Sequence, residues 1–237
     1  MTQQAASTMN TADTIQVTDK LMAGLQGFVT LVNDPHQIKA FYDLHEALQQ
    51  TQPMRSFEHY MLSIPEIAQL VEERYTPPAS SLKQLNQLPE GSLGRVHATR
   101  MIAAGLDPDA IQKNATAVEN WEAGLEWKAS YLTQRRAMTH DIHHTVTNFG
   151  TDLPGEVGLS AVYLAQIHQP VSLLYLAAVL LHAMAKSQEY KQALQALSVG
   201  LEMGQQARNL LAQKWETGWE RPLSEWREKL SVVPIAV

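Results

Sequence analysis

The sequence predicts an all-α protein, a single-domain helical bundle. Apolar residues recur at three- and four-residue spacing along most of the 237 residues, whereas the alternating pattern of β-strands is scarce. A content of 45% hydrophobic and 18% charged residues favours a packed core over disorder. The length fits one domain, and no linker divides the chain. We therefore expect one α-helical domain over residues 17–237, preceded by a polar, disordered tail over residues 1–16.

Helices in the N-terminal part are predicted from apolar stripes and from the residues that begin and end helices. One stripe covers residues 21–32 and stops at Asp34-Pro35, and the pattern continues over 38–45 as a second helix. Ser63 stands three residues before Glu66 with a proline between them, which is the spacing of a capping box. A third helix should therefore begin there and end before the following pair of prolines.

Turn signals divide the rest of the chain into further helices. Ser92 is a candidate N-cap and Gly105 a candidate C-terminal stop, and Asp107-Pro108 restarts a helix. A long helical pattern ends at the polar segment 148–152. The helices predicted for this part cover residues 92–105, 118–147, 153 onward, 170–187 and 189–214, with a short one after 222.

Composition excludes several classes of site and partner. The chain has no cysteine and nine histidines, so a disulfide scaffold, cysteine-ligated zinc, an iron–sulfur cluster and cysteine catalysis are excluded. Any bound metal must be held by His, Asp and Glu. A formal charge of −6 predicts no nucleic-acid partner.

The N-terminal residues and the longest apolar run indicate where in the cell the protein is expected. Residues 1–16 contain no Lys or Arg, so neither a signal peptide nor a transit peptide is predicted, and we expect a cytoplasmic protein. The longest apolar run, over 171–185, is too short to span a bilayer. We interpret it as a buried helix; the alternative is the wall of a lipid site or a face that touches the membrane.

A cluster of potential metal ligands lies in the long helical pattern. His140 and His144 are four residues apart and share a helical face, and Asp141 can reach its edge. Glu156 lies one turn into the next helix, so a helix–loop–helix hairpin would bring it back beside the histidines. Two imidazoles with carboxylates suit zinc, iron or manganese, or with carboxylate dominance magnesium. The spacing therefore predicts a metal site formed by His140, Asp141, His144 and Glu156.

Other interpretations of this cluster are less well supported. The two histidines could instead cap a helix or lie in solvent, which we would prefer for an isolated pair. A zincin helix would need a glutamate where Asp141 stands. HD-type phosphohydrolases also contain a His-Asp pair, but the spacing does not favour His97 and Asp152 as their other ligands. We place His143 beside the ligands or on the surface.

The motif His140-Asp141-x-x-His144, followed after eleven residues by Glu156, resembles that of the COQ-four family of coenzyme Q (ubiquinone) biosynthesis. The segment LPEGSLGR at 88–95 is similar to the family's segment ahead of the central helices. Trp215 and the C-terminal end around Trp226 are also similar to the family, and the resemblance covers about 24–230. The missing transit segment favours a bacterial-type relative.

The resemblance implies an all-α COQ-four-like domain that binds zinc through His140, Asp141, His144 and Glu156. It implies a lyase-type activity, the oxidative decarboxylation of the first ring carbon of a polyprenyl hydroxybenzoate, as for a 4-hydroxy-3-methoxy-5-polyprenylbenzoate decarboxylase. The end product would be ubiquinone or another prenylquinone. The alternative is a non-catalytic, prenyl-lipid-binding scaffold that organises other quinone-biosynthetic enzymes. Peripheral contact with the inner face of the membrane is expected either way, and a homodimer is possible.

Two sets of residues are candidates for binding such a substrate. A prenyl tail needs an apolar slot between helices, and helical spacing around Glu156 nominates Leu153, Val157, Ala161 and Leu164, although ordinary core is the alternative. Arg95 follows a glycine-rich turn at a helix start, where a carboxylate or phosphate could bind; the alternative is a structural salt bridge. Trp215, Trp219 and Trp226 are interpreted as core or interface residues.

Overall fold

The computed structural model describes residues 18–49, 51–78, 80–105 and 127–235. In these ranges the chain forms eleven α-helices and no β-strand, which confirms the predicted all-α fold. The helices are α1 Asp19–Asn33, α2 Ile38–Leu48, α3 Gln52–Ser63, α4 Pro65–Glu72, α5 Leu82–Leu85, α6 Leu93–Ala103, α7 Trp127–Thr147, α8 Leu153–Ile167, α9 Pro170–Ala183, α10 Ser187–Gln206 and α11 Leu223–Leu230, with a 3₁₀ turn at Trp215–Gly218 before α11.

Helices α8 and α10 approach each other at the centre of the fold more closely than side chains normally allow. A Cβ added at Gly200 of α10 would lie 2.2 Å from the carbonyl oxygen of Gly158 in α8. A Cβ added at Gly158 would itself lie 2.1 Å from the ring of Phe149, in the loop before α8. Only glycine permits this approach. Helix α8 is therefore held between α10 and its own preceding loop.

The main core cluster joins α7, α8, α10 and the C-terminal segment. Its members are fully or almost fully buried, and apolar burial of this kind is the main driving force for folding. They include Ile142, Val146, Leu159, Val162, Met203, Leu210, Trp215, Trp226 and Leu230. Because α7 and α8 both contribute to this cluster, the hairpin that they form is part of the core.

The N-terminal helices pack on α9. Buried Leu31 of α1 and Leu44 of α2 share a cluster with Val171 and Ala178 of α9. The Nδ1 atom of His182 in α9 lies 2.9 Å from the carbonyl oxygen of Val32, to which it donates. This attachment leaves the other side of α1 exposed to solvent.

The structure corrects several predicted helix boundaries. The predicted third helix is present as α4, which begins at Pro65. Ser63 is not its cap: it ends α3, a helix that apolar periodicity did not reveal, and its hydroxyl donates to the carbonyl of Tyr60 at 2.7 Å. Helix α10 ends at Gln206 and not at 214. The reason is the amide side chain of Gln166, which bonds the carbonyls of Ala207 and Arg208 and the N–H of Leu210, as a continuing helix would do.

Other predictions are confirmed or fall outside the described ranges. Ser92 caps α6, since its hydroxyl accepts from the N–H of Arg95 at 3.3 Å. The predicted tail at 1–16, the restart at 107–108 and the first part of the helix at 118–147 lie outside the described residues. Among the helices that the structure does describe, none has the length and apolar character needed to cross a membrane.

Candidate metal centre

Helices α7 and α8 form the predicted helix–loop–helix hairpin, and two arginines bind the end of α7. Arg227 of α11 donates to the carbonyls of Val146 at 2.8 Å and Thr145 at 3.2 Å. Arg100 of α6 donates to the side-chain oxygen of Asn148 at 2.8 Å and to the carbonyl of Phe149 at 2.9 Å. These bonds satisfy carbonyls that a helix end leaves open. They also fix the loop that joins the two halves of the site.

Three of the four predicted ligands converge across this hairpin. Ligand atoms of His140, His144 and Glu156 all lie within 4.8 Å of one another. The Nε2 atom of His144 is 3.2 Å from Oε1 of Glu156, and Nε2 of His140 is 3.6 Å from Oε2. Ligands at 2.0–2.1 Å from a tetrahedral zinc stand about 3.3 Å apart. The separations therefore match a common metal ion.

The inward nitrogen of His144 lacks a hydrogen-bond partner among the described residues. Its Nδ1 atom lies 3.3 Å from the carbonyl oxygen of Phe149, and because a carbonyl only accepts, Nδ1 holds the proton. The buried Nε2 atom then presents a lone pair and has no hydrogen-bond partner. The nearest charged group is the carboxylate of Glu156, another acceptor. A cation between the two would satisfy both, so these residues fit a metal ion.

Asp141 takes a position behind the ligands. Its Oδ1 atom lies 3.2 Å from Nδ1 of His140, and this leaves Nε2 of His140 directed at Glu156. In metal sites, a carboxylate on the outer nitrogen of a ligating histidine fixes the orientation of the ring. Asp141 is not one of the three groups that converge among the described residues. Its role as a direct ligand stays a prediction.

The charges of the site are strongly coupled. Burial alone would lower the pKa of His140, but the neighbouring carboxylates of Glu156 and Asp141 outweigh it and raise this pKa to about 9. Burial alone would raise the pKa of Glu156, but the two histidines hold it well below the usual range. Asp141 likewise stays ionised, because His140 lowers its pKa against the effect of burial. Two ionised carboxylates beside two imidazoles make a strong site for a cation.

The comparisons with known proteins identify the family of this chain. The family model of the "Coenzyme Q (ubiquinone) biosynthesis protein Coq4" matches residues 10–236. The chain belongs to the Coq4 family. It is similar to a crystal structure from Nostoc punctiforme of a protein assigned to ubiquinone biosynthesis, with 31% identity, a TM-score of 0.74 and coverage of 89% of this chain and 97% of that one. This neighbour supports the expected bacterial-type relationship.

Curated Coq4 relatives from eukaryotes are also similar. The chain is 24% identical to the mitochondrial ubiquinone biosynthesis protein COQ4 of Scheffersomyces stipitis over 218 residues, 90% of this chain and 65% of the relative. It is 29% identical to the mitochondrial COQ4 homolog of Rattus norvegicus over 174 residues, 72% of this chain and 62% of the relative. The chain thus spans less than two thirds of the length of these relatives.

His143, between His140 and His144 of the Coq4 motif, lies in the core. It is fully buried, so the surface alternative is wrong. Its Nε2 atom accepts from the indole N–H of Trp215 at 3.3 Å, and its Nδ1 atom lies 2.8 Å from the hydroxyl of Tyr163. The rings of Trp215 and Trp226 are 4.8 Å apart, which confirms the core interpretation of these tryptophans. His143 therefore anchors α7 to α8 and to the C-terminal segment.

The substrate-binding candidates of the Coq4 resemblance lie in two separate places. Leu153, Val157 and Ala161 are buried, and Leu164 packs beside the first two against α9 and α10, so this predicted slot is filled by side chains. Arg95 is exposed, with its guanidinium 3.5 Å from the carbonyl of Leu88. Neither assignment is tested by these contacts, and both stay predictions.

Of the two arginines that precede the motif on α7, one is buried and the other half-buried. Arg135 is 2% exposed and pairs with the buried carboxylate of Glu216, at 3.0 Å from Nη2 to Oε2, and with the carbonyl of Gln213 at 2.6 Å. Arg136 is half-buried between the rings of Phe41 and Tyr163. Helical periodicity could have signalled this, since Arg136 shares a face with His140.

Proposed function

We propose that this protein acts in the biosynthesis of ubiquinone or another prenylquinone as a metal-dependent enzyme. Its reaction would be the oxidative decarboxylation of the first ring carbon of a polyprenyl hydroxybenzoate: the carboxyl group leaves as CO2, a hydroxyl group takes its place, and an external two-electron oxidant accepts the electrons. The single observation that carries the metal dependence is the unsatisfied Nε2 atom of His144, which faces the carboxylate of Glu156 beside His140. Family membership supports the pathway.

The donor set favours zinc, although iron, manganese or magnesium also accept nitrogen and oxygen ligands. His140, His144 and Glu156 are three protein ligands, and a site with three protein ligands keeps a position for a substrate. A divalent cation there would polarise a phenolate or carboxylate oxygen and stabilise the charge that decarboxylation leaves on the ring.

The chain's own residues would prepare the site for this chemistry. Asp141 keeps the ring of His140 in place, and the carbonyl of Phe149 keeps the proton of His144 on Nδ1. Both inward nitrogens therefore face Glu156 before any ligand arrives. Such preorganisation removes the need to reorganise the site at the moment of reaction. Leu153, Val157, Ala161 and Leu164 would line the path of the prenyl tail once α8, α9 and α10 part slightly.

Metal analysis with ligand variants tests the proposal. The purified protein should contain about one divalent metal per chain, and His144→Ala and Glu156→Ala should remove both the metal and the turnover of an added prenylated hydroxybenzoate. Circular dichroism should show that both variants keep their helices. His36→Ala, in the exposed turn between α1 and α2, serves as the control and should keep metal and turnover. Metal-free protein with full activity would overturn the proposal.

A peripheral membrane contact belongs to the same proposal. Met22, Leu25 and Val29 are 53–57% exposed along one side of α1. Leu173 and Leu181 of α9 are also exposed, and so is Met184, which directly follows that helix. Helices α1 and α9 pack on each other, so both exposed stripes belong to one part of the molecule. The protein should therefore float with lipid vesicles, and Leu25→Gln with Leu181→Gln should abolish this flotation. Leu194→Gln, an exposed position on α10, should leave it unchanged.

The second candidate function is a non-catalytic scaffold that binds prenyl lipids and presents them to other quinone-biosynthetic enzymes. The exposed apolar residues of α1 and α9 favour it, because a carrier needs a route between membrane and core. Native mass spectrometry separates the two candidates. A co-purified prenyl lipid without turnover supports the scaffold, whereas conversion of an added prenyl-hydroxybenzoate supports the enzyme. The same spectra report whether the protein is a homodimer.

A further inference from the structure

Arg136 has no anionic partner among the described residues and lies one helical turn from the proposed metal centre. It precedes His140 by four residues on α7, so the two side chains share a face of that helix. Its guanidinium carbon lies 5.7 Å from the centroids of the Phe41 and Tyr163 rings. Its buried Nε atom has no hydrogen-bond partner, and no carboxylate of the described residues forms a salt bridge with it.

The neighbouring Arg135 on the same helix does have a carboxylate partner. Arg135 is paired with the carboxylate of Glu216 and also bonds a backbone carbonyl. Among the described residues, Arg136 contacts two aromatic rings and no carboxylate. A cation–π contact uses the face of the guanidinium plane and leaves the N–H groups at its edge available. Arg136 is therefore both held in place and free to donate in its plane.

The groups around Arg136 leave room for a negative charge. His45, buried on α2, is neutral, since burial and the nearby charge of Arg136 lower its pKa to about 4. The hydroxyl of Tyr163 is engaged by His143, and burial raises the pKa of this phenol, so it is neutral as well. The carboxylates of Glu156 and Asp141 are directed at the histidine ligands. Arg136 thus lies beside the metal centre with its charge uncompensated.

We propose that Arg136 binds the carboxylate of the aromatic acid that enters this site. A guanidinium edge accepts a planar carboxylate in a bidentate fork, which fixes the orientation as well as the position of the acid. This inference rests on the proposed function, because that function supplies an aromatic carboxylate as substrate. It places the anion-binding residue on α7, among the metal ligands, and not at Arg95 in the exposed turn before α6.

Binding of a matched pair of ligands tests the role of Arg136. One probe is 4-hydroxybenzoate with a geranyl chain on the ring, and the other is the geranylphenol that lacks only the carboxylate. Isothermal titration calorimetry on the full chain as purified should show at least tenfold tighter binding of the acid. Arg136→Gln should abolish this preference and leave the affinity for the phenol within about twofold. Arg136→Lys should restore part of the preference, since it keeps the charge and loses the fork.

The same two ligands, the acid and the phenol, also serve for the control variant. Arg221→Gln removes an exposed arginine whose guanidinium carbon lies 5.0 Å from the centroid of the Trp226 ring, and it should keep the full preference for the acid. Phenol binding shows that the Arg136→Gln protein is folded. The inference is overturned if Arg136→Gln still prefers the acid, or if the unchanged protein shows no preference. Binding without turnover would refute the proposed enzymatic function and leave the role of Arg136 intact.

Discussion

Arg100 should control the metal affinity of a site that it does not touch. The carbonyl of Phe149 accepts two bonds, one from Arg100 at 2.9 Å and one from Nδ1 of His144 at 3.3 Å. Arg100 therefore holds the acceptor that orients a metal ligand. Replacing Arg100 by Met keeps much of the apolar stem and removes both of its hydrogen bonds. The Phe149 carbonyl would then be free to move, and the ring of His144 with it.

The structure supplies a matched control for this change. Like Arg100, Arg227 is half-buried and donates two hydrogen bonds to the end of α7. Burial lowers the pKa of both arginines. Its acceptors are the carbonyls of Thr145 and Val146, which bond no metal ligand side chain. Each substitution removes two charge-assisted bonds and should lower the free energy of unfolding by about 2–4 kcal/mol. The two variants should thus be similarly destabilised.

Metal affinity should separate the two variants. Loss of a group that directly orients a ligand typically weakens binding by about 10–100-fold. Arg100 contacts His144 only indirectly, through the carbonyl of Phe149, so the effect should lie at the lower end of this range. We expect about tenfold weaker zinc binding for Arg100→Met, or about 1.4 kcal/mol. Arg227→Met should bind zinc within about twofold of the unchanged protein. Competition with a fluorescent zinc chelator measures both constants at 15 °C, where both variants remain folded. Equal affinities for the two variants would refute the coupling through Phe149.

Three further predictions concern stability. In the metal-free protein the pKa of His140 is about 9, against 6.5 in the unfolded chain. The stability that protonation of His140 supplies is therefore complete below pH 6.5 and is lost as the pH rises through 9. The thermal midpoint should fall over this range, and much less in His140→Gln. Glu216→Gln leaves Arg135 buried without its charged partner and should lower the free energy of unfolding in urea by about 3–5 kcal/mol, whereas replacing both residues by apolar ones should restore most of it. Gly200→Ala places a methyl group against the backbone of Gly158 and should cost about 1–3 kcal/mol by the same assay; a change under 0.5 kcal/mol would contradict the close contact.

The fold could be predicted largely because helix signals are local. The turn at Asp34-Pro35, the Ser92 cap and the break after Thr147 all act within a few residues, and the structure keeps each of them. The end of α10 could not be predicted, because the amide that replaces its hydrogen bonds belongs to Gln166, about forty residues earlier. The Ser63 capping box failed for a related reason. Its spacing was right, but the preceding residues already formed a helix that ends there.

The candidate site was predictable where one helix determines the geometry. The positions of His140 and His144 follow from spacing alone, and the short loop was enough to return Glu156 to them. The hydrogen-bond partners on the outer side of the His140 and His144 rings follow from no sequence pattern. Asp141 has a ligand's spacing and yet lies on the outer nitrogen of His140, and the carbonyl that orients His144 belongs to a loop. Arg136 was missed because adjacent arginines look alike in a sequence and acquire different surroundings on a helix.

These partners explain why the proposed site would favour a cation. A hydrogen-bond acceptor stands behind each imidazole, the carboxylate of Asp141 behind His140 and the carbonyl of Phe149 behind His144. Both inner nitrogens must therefore face Glu156 as acceptors, and three acceptors cannot bond one another without a proton or a metal ion among them. In the metal-free protein His140 holds that proton, which is why its pKa is raised to about 9. Binding of a metal ion would then exchange a proton for a cation in a structure already arranged to receive one.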